Sequence, residues 1–212
     1  MKRRLINVIV LSLIMTLLCG CSSSTGDESS IGGGGGYTDP TTATSIVIYY
    51  DVNENLIDNS HKNGPISQMA EEISMQMYAD TFSIKAEPQY STDEDERNKQ
   101  IKDDIEQETI FTFERQLGNM NQYDRIYLGF TVYQSTIPQA VNGFLQSYDL
   151  SQYDIYVFSI SDDGEPGGSL RVIQELTSNP LTNDNLCLES DITDTDMIEE
   201  VDNWLKSLPK KS

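Results

Sequence analysis

Ile46-Val47-Ile48-Tyr49-Tyr50 is a run of β-branched and aromatic residues with no charge or strongly polar group inside it. Such a continuous run is the pattern of a strand buried on both faces. Working outward, Pro65 opens a helical period carried by Ile66, Met69, Ala70, Ile73 and Met77. Thr81-Phe82-Ser83-Ile84 then reads as a short strand, and the charged segment 92–116 contains a helix whose solvated start is the acidic run Asp93 to Glu96. The alternation repeats with strands at Arg125-Ile126-Tyr127-Leu128, Ile155-Tyr156-Val157-Phe158 and Leu186-Cys187-Leu188. Between and after them lie helices marked by Val141, Phe144, Leu145 and Tyr148 behind Pro138, by Leu170, Ile173 and Leu176, and by Met197, Val201, Trp204 and Leu208. Five strands alternating with about five helices predict an α/β fold, a doubly wound five-stranded parallel sheet covered on both faces by right-handed crossovers. If the strand order is 2-1-3-4-5, the order reverses between the first and third strands. Loops 51–64, 129–137 and 159–168 then hold the ligand, beyond the carboxyl ends of the strands.

The chain has 212 residues with 14 Lys+Arg against 34 Asp+Glu, a net charge of -20, which excludes a nucleic-acid binder relying on positive charge. Its start has the layout of a secretory signal: basic Met1-Lys2-Arg3-Arg4, an apolar run from Leu5 to Leu18, then Leu18-Cys19-Gly20-Cys21. The apolar run is too short to span a membrane comfortably. The Leu-x-Gly-Cys ending resembles a bacterial lipobox, which implies cleavage before Cys21 and lipidation of its thiol; the other reading is an ordinary secretory signal. Loss of residues 1–20 removes Lys2, Arg3 and Arg4 and leaves a net charge of -23. The expected address is the extracytoplasmic face of the cell membrane, reached through the lipid on Cys21.

From Ser22 to Ser45 the sequence is mostly Ser, Thr, Gly and Asp, with almost nothing apolar and five successive glycines, Gly32 to Gly36, so residues 21–45 read as a tether. A flexible coil of that length holds a domain roughly 25 to 30 Å from the bilayer. One domain spans residues 46–208, with a short tail at 209–212. Cys187 is the one cysteine left inside the domain and cannot form an internal disulfide.

Other chemistry finds little support. The single histidine, His61, lies in a polar loop far from any nucleophile elbow, which argues against a hydrolase triad. Asp51-x-Asn53-x-Asn55 begins like a calcium loop, but Leu56 stands where glycine is needed and Lys62 where the bidentate glutamate belongs. Asp162, Asp163 and Glu165 read either as ligands for a hard cation or as a solvated acidic turn, and no histidine–cysteine cluster suggests zinc.

The string Leu128-Gly129-Phe130-Thr131-Val132-Tyr133-Gln134-Ser135-Thr136-Ile137-Pro138, preceded by Tyr123-Asp124, resembles the third strand, flavin loop and following helix of flavodoxin-like proteins. Tyr153 to Phe158 followed by Ser159–Gly168 is similar to their second flavin-contacting loop in length and glycine content. The resemblance spans 46–208 and implies a noncovalently bound flavin mononucleotide. It assigns the ring to Thr131, Val132, Tyr133, Gln134 and Ser135 on one loop and to Ser159, Ser161, Asp162, Asp163, Gly164 and Gly167 on the other.

In relatives the flavin phosphate sits in a hydroxyl-rich T/S-x-T-G-x-T loop. Here the matching stretch keeps Gly64, but Pro65 lacks an amide donor and Ile66 replaces an expected threonine. Asp51 stands where a serine or threonine is usual, and a carboxylate repels a phosphate dianion. Asn55, Ser60, Asn63 and Ser67 are the candidate replacement donors. Two readings stay open: a flavin-binding electron-transfer lipoprotein that docks a basic redox partner, and a flavin-free binding or scaffold lipoprotein that keeps the fold.

Overall fold

The computed structural model describes residues 44–58, 63–181 and 184–209. The expected signal segment, Cys21 and the tether up to residue 43 lie outside these residues, as do Ser60, His61 and Lys62. Strand β1 (Ser45–Tyr50) begins at the residue where the tether was expected to end, and it leads into a single 3-10 turn, Val52–Glu54. Helix α1 (Pro65–Met77), β2 (Asp80–Ser83), α2 (Glu94–Gln107), β5 (Arg125–Thr131), α3 (Gln139–Leu145), β6 (Asp154–Ser161), α4 (Ser169–Thr177), β7 (Leu186–Glu189) and α5 (Asp194–Ser207) follow the predicted alternation.

Two elements were not expected. β3 (Ala86–Glu87) and β4 (Thr112–Phe113) pair as a small antiparallel sheet between β2 and β5. Strands of two residues carry no readable period, and their role is local. They bring Phe113 edge-on to Phe144 of α3, with ring centroids 5.5 Å apart.

All pairings of the main sheet are parallel and its order is β2-β1-β5-β6-β7, which is 2-1-3-4-5 when only its five strands are counted. The period of two along each strand divides the core between the faces. Ile46, Ile48 and Tyr50 of β1 join Ile126, Leu128, Phe130, Ile155 and Val157 beneath Ile101 of α2, Val141 and Phe144 of α3 and Ile173 of α4. Val47, Tyr127, Tyr156, Phe158 and Ile160 face Ile66, Met69 and Ile73 of α1 and Met197, Val201 and Trp204 of α5. Each such fully buried apolar side chain stabilises the fold by about 1.5–3 kcal/mol, which explains why these strands are apolar on both sides.

The helix starts follow local chemistry. Pro65 occupies the first turn of α1, Asp93 accepts the amide of Glu96 at 2.9 Å to cap α2, and Thr193 accepts that of Asp196 at 3.2 Å to cap α5. Strand order reverses at β1, whose neighbours are β2 on one side and β5 on the other. Loops leaving β1, β5 and β6 therefore meet at one edge of the molecule.

Candidate functional site

Asp51 follows the last residue of β1 and is 2% exposed. Its Oδ1 accepts the amide of Asn53 at 2.9 Å, and its Oδ2 accepts the amide of Ser67 at 2.9 Å. Ser67 is the third residue of α1, whose N-cap is Gly64, a residue with no capping side chain. Asp51 thus supplies, from the start of the same loop, the cap that the helix start lacks. The fit is close: a Cβ on Gly64 would lie 2.4 Å from both carboxylate oxygens and 2.5 Å from Asn53 Nδ2. Burial pushes the Asp51 carboxyl above its ordinary range, against the pull of the Ser67 and Asn53 amides.

Residues 53–57 of the first loop are anchored by polar groups. Asn55 Nδ2 donates to the carbonyls of Asp51 at 2.8 Å and Ile84 at 3.3 Å, and its Oδ1 accepts the Ala86 amide at 3.1 Å. Ile57 N donates to Tyr90 O and Tyr90 N to Asn55 O, each at 2.9 Å, pairing the loop with the segment that leads into α2. Glu54 accepts Lys85 Nζ at 2.5 Å, Ser83 Oγ at 2.7 Å and the Tyr49 hydroxyl at 3.2 Å. Burial works to raise the Glu54 pKa, but the Lys85 and Ser83 contacts outweigh it and hold the carboxyl below its ordinary range.

The second and third loops form a joined rim. Tyr133 and Thr136 exchange backbone hydrogen bonds at 3.0 and 2.9 Å across a two-residue turn. Gln134 and Ser135 fill it at φ 49° and 59°, the left-handed geometry of a type I′ turn. Non-glycine residues there carry backbone strain of about 1–3 kcal/mol each, the kind that collects at ligand clamps. Gly168 N donates to Ser135 O at 2.7 Å and Val132 N to Ile160 O at 2.8 Å, tying this turn to the loop after β6. Gly167, at φ 55°, comes so close that a Cβ there would lie 2.7 Å from Ser135 Cβ and O.

A family model described as Flavodoxin matches residues 56–207. The chain belongs to the flavodoxin family. Among solved structures, a candidate flavoprotein from Bacteroides uniformis is 17% identical, covering 78% of this chain and 99% of that one with a TM-score of 0.59. A candidate flavoprotein from Bacteroides eggerthii is 15% identical over 77% of this chain and 98% of its own, with a TM-score of 0.54. A Lactobacillus acidophilus flavoprotein solved in complex with FMN is 15% identical over 77% of this chain and 99% of its own, at a TM-score of 0.51. A search of curated proteins found no match.

Within this flavodoxin fold, the sequence-predicted residues separate by environment. Thr131, Val132, Tyr133, Gln134 and Ser135 sit together on the rim, with Gln134 and Ser135 exposed. Tyr133 turns inward: burial pushes its hydroxyl up to about 12, Arg97 lowers it, and Asp51 and Asp162 raise it. The ring is half-buried and packs against the core on the α2–α3–α4 side of the sheet. Ser159 Oγ donates across the sheet to Leu186 O at 3.4 Å, and Ser161 Oγ donates into the turn that follows it, to Asp163 Oδ1 at 3.1 Å. Asp163 also accepts the Glu165 amide at 3.2 Å, Asp162 accepts Ser190 Oγ at 3.3 Å, and Gly164 turns the loop at φ 70°.

At the phosphate end, the Asn55 side chain is engaged by three backbone groups, as described above. Ser67 Oγ donates to Gly64 O at 2.9 Å. Asn63 is exposed, and Ser60 lies outside the described residues. Sequence reasoning missed Tyr50, Tyr90, Arg97 and Asp104. Tyr90 Oη donates to Asp104 Oδ2 at 2.9 Å, and Tyr50, Tyr90 and Tyr133 lie within electrostatic reach of one another. Tyr50 closes a strand already legible as core, whereas the irregular segment holding Tyr90 gives no period that would mark it. The rim offers a flavin ring the aromatic side chain of Tyr133, while its amides at Val132, Tyr133, Thr136 and Gly168 are paired within the chain. The start of α1 does not suit the phosphate, because a carboxylate already takes the Ser67 amide there.

Proposed function

We propose that the protein is a flavin-dependent electron carrier, lipid-anchored outside the cytoplasm, that holds flavin mononucleotide or a closely related flavin noncovalently between the loops after β5 and β6. The observation that carries this reading is the joined rim of a flavodoxin-family chain. Ser135 and Gly168 lock two loops together at the strand-order reversal, with a strained, exposed turn at Gln134 and Ser135. A bound flavin would supply the redox chemistry; the chain would supply position and electrostatics.

In this reading, Tyr133 packs against the isoalloxazine, and the backbone from Thr131 to Ser135 meets its edge. The carboxylates of Asp162 and Asp163 disfavour a negatively charged reduced ring and lower its potential. The net charge of -23 after loss of residues 1–20 steers encounter with a basic redox partner. The lipobox-like Leu18-Cys19-Gly20-Cys21 supports the lipid anchor.

The competing reading, a flavin-free scaffold lipoprotein, draws on Asp51 in the phosphate seat. Titrating the full chain, purified in mild detergent, with flavin mononucleotide and with riboflavin separates the two. Quenched flavin fluorescence at micromolar protein is the expected result. A chain that quenches neither flavin is the scaffold.

A further inference from the structure

The start of α1 is an anion seat by construction. Its free amides and its dipole favour negative charge at that point. In this chain the seat has an occupant of its own. Asp51 Oδ2 accepts the Ser67 amide at 2.9 Å, Oδ1 accepts the Asn53 amide at 2.9 Å, and both oxygens press against Gly64 where a Cβ would fall. Pro65 has no amide to offer at the first helical position. The Asn55 side chain is held by three backbone groups and the Ser67 hydroxyl by the Gly64 carbonyl, so neither is turned toward an incoming anion.

We propose that Asp51 is a resident anion filling the seat that would otherwise take a flavin phosphate, so that this chain selects flavin by its ring and is indifferent to the 5′-phosphate. This rests on the flavin reading above and adds the ligand class: phosphate-free flavin binds as well as the mononucleotide. The logic is competitive. A phosphate entering the seat meets a carboxylate of like charge in a buried site, where repulsion is far stronger than in water. Displacing Asp51 would strip the Asn53 amide of its partner and α1 of its cap. Among the described residues of the first loop, the Asn55 side chain is already committed to backbone partners and Asn63 is exposed.

The test uses the full chain in detergent and two variants. Asp51→Ser opens the seat and supplies a hydroxyl. Asp51→Asn keeps the shape and removes the charge, at the cost of turning one of the two accepting oxygens into a donor. Circular dichroism and thermal melting establish that each folds. For the wild type, the dissociation constants for riboflavin and flavin mononucleotide agree within about threefold, whereas Asp51→Ser tightens the mononucleotide about tenfold and leaves riboflavin within about threefold. Asp51→Asn tightens the mononucleotide by about threefold and carries the test if the serine variant fails to fold.

A second arm needs no flavin. Inorganic phosphate, raised to about 50 mM, leaves the backbone amide resonances of Ser67 and Asn53 unmoved in the wild type and shifts them saturably in Asp51→Ser. A wild type that prefers the mononucleotide about tenfold or more overturns the proposal. So does a phosphate response at Ser67 that is the same with and without Asp51. If no protein binds any flavin, the electron-carrier reading fails, and the phosphate arm alone still decides whether Asp51 holds the seat.

Discussion

Asp51 caps a helix that begins 14 residues further along the chain, its Oδ2 accepting the amide of Ser67 at 2.9 Å. The carboxyl is raised above its ordinary value of 3.8 by burial. A group whose folded pKa exceeds its unfolded one binds its proton more tightly in the native state. Stability is therefore lost as pH rises from about 3.8 through the folded value. Asp51→Asn abolishes that part of the slope, and urea denaturation of the wild type and variant at successive pH values measures it. Parallel profiles would show that Asp51 titrates normally.

Glu54 has the opposite sign. Its carboxyl lies below its ordinary value because Lys85, Ser83 and Tyr49 hold the charged form. Its contribution is present above the ordinary value of 4.5 and is lost as pH falls through the folded value. The Lys85–Glu54 pair is partly buried, with side-chain exposures of 22% and 12%. Glu54→Gln leaves Lys85 without its charge partner and costs about 1–3 kcal/mol, read from the urea midpoint at neutral pH.

The rim offers a steric prediction. Gly167→Ala places a methyl 2.7 Å from Ser135 and forces a side chain onto a residue at φ 55°. The substitution lowers stability by about 1–3 kcal/mol and weakens flavin binding by parting the two loops. Thermal melting with and without flavin separates these effects, since a purely global loss would leave affinity unchanged in the folded fraction.

Tyr133 is expected to contribute by packing. Tyr133→Ala weakens flavin binding about five- to tenfold, as loss of about 1–1.5 kcal/mol of aromatic contact predicts, and restores fluorescence of the displaced flavin. Tyr133→Phe retains most of the affinity. An alanine variant with wild-type affinity would place the ring elsewhere.

The anchor is tested independently of the cofactor. Cys21→Ala removes the thiol that the lipobox-like sequence presents, so the protein appears in the soluble fraction and ceases to incorporate labelled fatty acid. Lipid labelling of the variant would show that the attachment point is another residue.

The parallel sheet was legible because its strands are covered on both faces, and Ile46–Tyr50 or Ile155–Phe158 can be written with apolar residues alone. Helix starts were legible where one residue type performs the task, as with Pro65 or Asp93. The conflict between Asp51 and a phosphate was also readable from charge and position. What Asp51 does instead was not, because capping Ser67 depends on a loop path that brings together residues 16 apart in the sequence. Likewise, Ser159 and Ser161 looked like donors to a ligand by their place after a strand. Only the structure shows the Ser159 hydroxyl directed to Leu186 of β7 and that of Ser161 to Asp163 in its own turn. Tyr90 was invisible for the same reason, since pairing with Asn55 and Ile57 is a property of two irregular segments at once.

The contact between Asp51 and Gly64 also constrains the order in which mutations can accumulate. With a carboxylate 2.4 Å from the place of the missing Cβ, alanine at 64 is admissible only in a background where position 51 has already become smaller. The reverse order passes through an intermediate in which a methyl and a buried charge contend for one volume. A laboratory lineage that places a hydroxyl at 51 would remove two of the three contacts at 64 and leave Asn53 Nδ2, 2.5 Å from the same point, still to turn aside, so that positions 51, 53 and 64 would drift together.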